Sequence, residues 1–129
     1  SPLFLLPPSL LTMKLLDYPA AIAEQQRKVL QADQRIRRLQ DVVNHLTAEI
    51  DTAIAFDASL KNDAQRKAKR LELMSAVEYR TAVANLQIAQ DQRAELDIDL
   101  ALLRNQLSVL KLEKREAITM RELQLTDAA

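Results

Sequence analysis

The sequence has no glycine, no cysteine and no tryptophan, and only two tyrosines and two phenylalanines among its 129 residues. Each absence excludes something. Without glycine, no residue takes a positive φ freely, so the tight turns that join antiparallel strands are hard to build and a sheet protein of this size is disfavoured. Without cysteine there is neither a disulfide framework nor a thiolate zinc site. That lack does not by itself decide the compartment; a cytoplasmic location is the expectation. An aromatic content of 3% is too low for an ordinary globular core. Proline is confined to the start, at Pro2, Pro7, Pro8 and Pro19, so nothing forces the backbone to break from Ala20 to Ala129. Neither sign of charge is in excess, with 18 Lys and Arg against 18 Asp and Glu. A general nucleic-acid binder is normally basic overall, so any such role here must come from a local patch.

The residues that are abundant (Ala, Leu, Gln, Glu, Lys and Arg) lose little rotamer freedom in a helix. The opening stretch, SPLFLLPPSLLTMKLL from Ser1 to Leu16, is too short and too broken by proline to span a membrane. It also lacks the basic start and small-residue cleavage site of a signal peptide. Residues 1–17 therefore read as an apolar tail, with Met13 a natural start and the preceding residues a tag or misread upstream sequence. The alternative is an apolar arm that docks on a partner.

Asp17-Tyr18-Pro19 is a helix-start signal, Asp as N-cap and Pro in the first turn. Behind it runs a heptad pattern. Ile22, Val29, Ile36, Val43 and Ile50 occupy one position (a); Gln25, Ala32, Leu39, Leu46 and Ala53 lie three residues on (d). This is a coiled-coil seam, and it predicts a helix over about residues 19 to 56, roughly 55 Å long. Phe56 to Asp63 is the expected turn, where Ser59, Asn62 and Asp63 can bond their own backbone. Asn62 or Asp63 then caps a short helix from Ala64 to Met74. Ser75-Ala76-Val77-Glu78 is a capping box, which either restarts a helix after a kink or sits inside a continuous one. A second seam follows, with Tyr79, Leu86, Arg93, Leu100 and Leu107 at a, and Ala82, Ala89, Leu96, Leu103 and Leu110 at d. It predicts a helix to about Leu123, on the order of 70 Å long.

The expected architecture is all-α: a long antiparallel helical hairpin over residues 18–123, with a short helix near the turn and a C-terminal tail at 124–129. Short connections favour antiparallel neighbours. Flanking charges suggest pairing of Lys28 with Asp99 or Glu113, and of Asp33 with Arg104 or Lys111. Several registers satisfy these pairs. Arg93, a cation inside a leucine seam, suits a residue that fixes register or snorkels to the edge. Ile98, Leu102, Val109 and Leu112 lie off the seam. They form a candidate oligomer interface, most simply a dimer that closes a four-helix bundle; the alternative is that the N-terminal apolar residues fold back over them.

Catalysis finds little support. The one histidine, His45, falls at a solvent-facing c position. With Glu49 it makes two ligands, where a metal site usually needs four. Asp97 and Asp99 are two apart and point away from each other. No phosphate-cradling glycine loop exists. The expectation is a non-enzymatic chain with no catalytic, cofactor or metal site. Lys61, Arg66, Lys67, Lys69 and Arg70 cluster near the turn, with Leu60, Ala64, Leu71 and Met74 able to line the opposite face. Such a segment can grip nucleic-acid phosphates, lie on an acidic partner, or be a solvated face balanced by Asp63, Glu72 and Glu78. No aromatic residue sits among these charges to stack on bases. Arg35, Arg37 and Arg38 spread around their helix and form no stripe.

The string LKNDAQRKAKRLEL (Leu60 to Leu73), then Glu78-Tyr79, then LRNQLSVLKLEKREA (Leu103 to Ala117) resembles small helical proteins of bacteria and prophages that often accompany phage DNA-recombination genes. The resemblance covers about the last two thirds of the chain and brings no catalytic residues. It implies an accessory role near single-stranded DNA, with the basic segment 61–70 as the contact. Beside it, the residues themselves point to a structural protein that presents a coiled-coil surface to a protein partner.

Overall fold

The computed structural model describes residues 13–128, and the expectations for residues 1–12 lie outside that range. The described chain is all-α, with no strand. A single 3-10 turn, Leu15–Asp17, leads into α1 (Tyr18–Ala55); α2 (Asp63–Met74) and α3 (Val77–Ala128) follow. Among the described residues, 13–28 with 96–128 form one compact unit and 29–95 a second.

Helix nucleation starts earlier than Asp17. The backbone N–H of Lys14 donates to the Asp17 carboxylate at 2.9 Å, and Asp17 N–H bonds the Lys14 carbonyl at 2.9 Å. Asp17 is thus the third residue of the turn, reaching back to fasten the entry, and not the N-cap. Pro19 falls second in α1, where its missing N–H has no intrahelical partner to lose.

α1 ends without glycine, by tightening. Phe56 N–H bonds Thr52 and Asp57 N–H bonds Ile54, at 3.1 and 3.3 Å. Asp57 then organises the turn: its carboxylate accepts the Ser59 N–H at 2.9 Å and the Ser59 hydroxyl as well. Those two bonds, the hydroxyl's first, hold the Asp57 carboxyl below its ordinary range. Asn62 caps α2, accepting the Gln65 N–H at 2.9 Å, while the Gln65 side chain accepts the Lys61 N–H at 2.6 Å. Of the two candidate caps, Asn62 is the one used, and Asp63 is the first helical residue.

The Ser75–Glu78 pattern does mark a break, but Ser75 works backwards. It is the C-cap of α2, and its hydroxyl donates to the Glu72 carbonyl at 2.6 Å. α3 restarts with Arg80 N–H bonding the Ala76 carbonyl at 3.0 Å. It then continues to Ala128, so residues 124–128 extend the helix where a tail was expected.

In the 29–95 unit, α1 and the first part of α3 run antiparallel: Asp33 meets Arg93, and Val43 packs with Ala82 and Leu86, the numbers falling on one helix as they rise on the other. Ile36, Leu39, Leu46 and Val83 surround that cluster. In the other unit Tyr18, Gln25, Leu100 and Leu103 are buried, and every described residue from 111 onward is exposed.

Candidate interaction surfaces

The two heptad seams are where the helices meet. Among the α1 seam residues Gln25, Val43 and Ile50 are buried, and Ile22, Val29, Ala32, Ile36, Leu39 and Leu46 half-buried; on α3, Ala82, Leu86, Ala89, Leu100 and Leu103 are buried, and Tyr79, Arg93, Leu96, Leu107 and Leu110 half-buried. Ala53 departs from the pattern and is exposed. There the facing chain is the α2–α3 break, and a shallow cleft opens, lined by Leu46, Ile50, Ala53, Leu73, Ala76 and Tyr79 with Glu49 and Glu78 at its edge. No seam pattern announces this cleft, because it depends on where the second chain segment breaks.

Two polar contacts fix the register, one in each unit. Gln25 is only 8% exposed. Its Nε2 donates to the main-chain oxygen of Leu96 at 3.0 Å, so an amide at a d position is satisfied by the facing backbone. Asp33 accepts from Arg93 Nε at 3.0 Å, both side chains being partly exposed. This corrects the expected pairing of Asp33 with Arg104 or Lys111. A seven-residue shift preserves a heptad pattern, so charge spacing alone does not choose among registers. Arg93 does what an interrupting cation can: its stem lies in the seam and its head reaches an acid at the rim.

The basic segment is largely engaged by acids of its own chain. Arg66 pairs with Asp63 at 2.8 Å and Lys69 with Glu72 at 3.5 Å. Arg70 reaches back to Asp51 on α1, tying α2 down. Lys61 and Lys67 are exposed, and neither forms an ion pair with another described residue. Three of the five cations therefore already have an acidic partner within the chain.

Among the described residues His45 meets only Glu49, its Nε2–H donating to Oε1 at 3.0 Å on an exposed surface. No group of three or more metal-ligating side chains occurs among the described residues. No described helix is long and apolar enough to cross a membrane.

The remaining conspicuous surface is apolar. Ile98, Leu102, Val109 and Leu112 are 66%, 37%, 54% and 61% exposed. At the other unit Phe56 stands 85% exposed just past the end of α1, with Leu71 and Val77 also open to solvent. Leu71 lies on the face expected to be apolar opposite the basic segment; Phe56 and Val77 were not anticipated as surface residues, and an aromatic residue at the first position of a turn was the available signal.

No protein-family model, curated protein or solved structure matches this chain.

Proposed function

We propose that this chain is a non-catalytic structural protein that works by holding partners through helical surfaces. The observation carrying this reading is that large apolar side chains stand open outside a seam that is already filled. Ile98, Leu102, Val109 and Leu112 do so on α3, and Phe56, Leu71 and Val77 near the turns. Contiguous apolar surface rimmed by charge generally marks a protein-binding face, and aromatic residues at such faces tend to dominate binding energy. The cleft beside Ala53 and Ala76 is open enough to accept a partner's side chain. A cytoplasmic location belongs to the same reading.

The second reading is an accessory single-stranded DNA-binding protein of a phage-type recombination system, touching phosphates through Lys61, Arg66, Lys67, Lys69 and Arg70. It draws on the sequence resemblance and on the open side chains of Lys61 and Lys67. The internal pairing of Arg66, Lys69 and Arg70 weighs against it, because each acid already neutralises a charge that phosphate contact would need. Fluorescence anisotropy with short single-stranded DNA, at low and high salt, separates the two. The protein-partner reading expects no binding at either salt. Binding that falls steeply with salt, and disappears when Arg66, Lys67, Lys69 and Arg70 are changed to alanine, would establish the DNA reading instead.

A further inference from the structure

The apolar residues on the back of α3 form an ordered row. With the seam at heptad positions a and d, the row occupies c (Leu102, Val109, Glu116, Leu123) and f (Ile98, Asn105, Leu112, Thr119), on the side of the helix away from the seam. All eight side chains are exposed. From Ile98 to Leu123 the row is about 38 Å long. Its order is close to a palindrome. Read from the two ends, Ile98 matches Leu123, Leu102 matches Thr119, Asn105 matches Glu116 and Val109 matches Leu112.

We infer that this face takes a second copy of the same chain, antiparallel, with the twofold axis passing between Leu110 and Lys111. The inference rests on the protein-holding reading and names the partner of one of its surfaces. In an antiparallel helix pair the c residues of one copy meet the f residues of the other, so each matched pair above becomes a contact. Four features favour this orientation over the parallel one. Glu116 meets an amide donor, Asn105, whereas parallel chains bring two Glu116 carboxylates face to face in the interface. The pairs flanking the row, Ser108 with Arg115, Gln106 with Glu113, Asp99 with Met120 and Ala101 with Glu122, contain no like-charge pair, whereas parallel chains set Glu122 beside Asp127. The stretch 95–109, with acids at Glu95, Asp97 and Asp99 against one cation, Arg104, lies over 112–126, where Lys114, Arg115 and Arg121 balance Glu113, Glu116 and Glu122, whereas parallel chains lay the two acidic stretches on each other. The helix dipoles are opposed as well.

The test is solution mass by light scattering across a concentration series, joined to a spin-label distance. The chain has no cysteine, so Asp127→Cys labels a single site. The expected result is a dimer with labels about 50 Å apart; a parallel pair brings them to near 10 Å. Val109→Glu is expected to give a monomer with unchanged helicity by circular dichroism. Val109→Glu with Leu112→Lys is expected to regain the dimer, because opposite charges then face each other across the axis; parallel chains would face like with like and stay apart. The inference is overturned by a monomer throughout, by a short label distance, or by a dimer indifferent to Val109→Glu. It is equally overturned by a monomer that dimerises once residues 1–12 are removed, since those residues would then be the cover. A monomer leaves the protein-holding reading standing, whereas salt-sensitive DNA binding removes that reading and leaves the dimer measurement intact.

Discussion

The two units use the same heptad grammar and bury it differently. In residues 29–95, α1 and α3 face each other from Asp33 with Arg93 to Val43 with Ala82 and Leu86, α2 is joined to α1 by Arg70 with Asp51, and the cluster around Val43, Ala82 and Leu86 is ringed by partly buried neighbours. In residues 13–28 with 96–128, Tyr18, Leu100 and Leu103 are buried, but past Leu110 the helix continues with Leu112, Ile118, Met120, Leu123 and Leu125 all exposed. Gln106 leaves its Oε1 buried without a partner there, a kind of loose end the 29–95 unit does not show among its described side chains. The difference teaches that an apolar residue on a helix is buried only where something lies across from it. Periodicity states which face is sticky, and the facing chain decides whether it is covered.

The largest expected effects probe the seam in each unit. Leu86→Asp in one and Leu103→Asp in the other each place an uncompensated charge at a buried site, and each is expected to cost on the order of 3–5 kcal/mol. Urea unfolding followed by helicity would show both midpoints falling together. If Leu103→Asp keeps full helicity and midpoint, the seam of the 96–129 region is misplaced.

A second pair sharpens the contrast within one helix. Leu100 is 5% exposed and Leu112 is 61% exposed. Leu100→Ala is expected to cost about 2–5 kcal/mol by lost burial and cavity formation, and Leu112→Ala less than about 0.5 kcal/mol at high dilution. Equal losses in chemical unfolding would mean that the back of α3 is as covered as its seam.

The polar clamps come next. Arg93→Met keeps the stem and removes the pair with Asp33, at an expected cost of about 0.2–1 kcal/mol that shrinks in high salt. Gln25→Leu removes one bond but strands no polar group, because the Leu96 carbonyl sits within a helix; a change within about 1 kcal/mol is expected. A larger loss by calorimetry would show that the amide selects the register as well as filling the site.

The smallest effect lies at the turn. The Asp57 carboxyl is held below its ordinary value by Ser59, so its contribution to stability is present above the unfolded carboxylate pKa and is lost as pH falls through the lowered folded one. Asp57→Asn should flatten the acid limb of the stability curve slightly, in Tm measured from neutral to acid pH. A variant whose acid limb matches the parent's would remove this role.

Much of the fold was legible because helix and heptad signals are local. The absence of glycine, the proline-free run after Pro19, and β-branched or leucine residues every third and fourth position leave the backbone little alternative, and all the seam positions except Ala53 are at least half-buried. The turn was legible too, since Asn62 has a short side chain that can reach its own backbone. Capping details were less so. Asp17 and Ser75 both match a helix-start pattern, yet one closes a preceding 3-10 turn and the other terminates α2, because a short polar side chain bonds whichever backbone group is left free nearby. Of the candidate surfaces, the exposed row on α3 could be read from residues lying off the seam. The neutralisation of the basic segment could be read only for the pairs within α2. Arg70 with Asp51 spans two helices and needs the tertiary contact.

The sequence by itself determined that this chain is helical, where its first helix ends and which face of each helix is apolar, since these follow from backbone freedom and from spacing along a single segment. Only the tertiary structure decided the register that joins Gln25 to Leu96 and Asp33 to Arg93, the cleft beside Ala53, and which apolar faces stay open. Those depend on what stands opposite a residue, and a pattern that repeats every seven residues fits several partners equally well until the chains are packed.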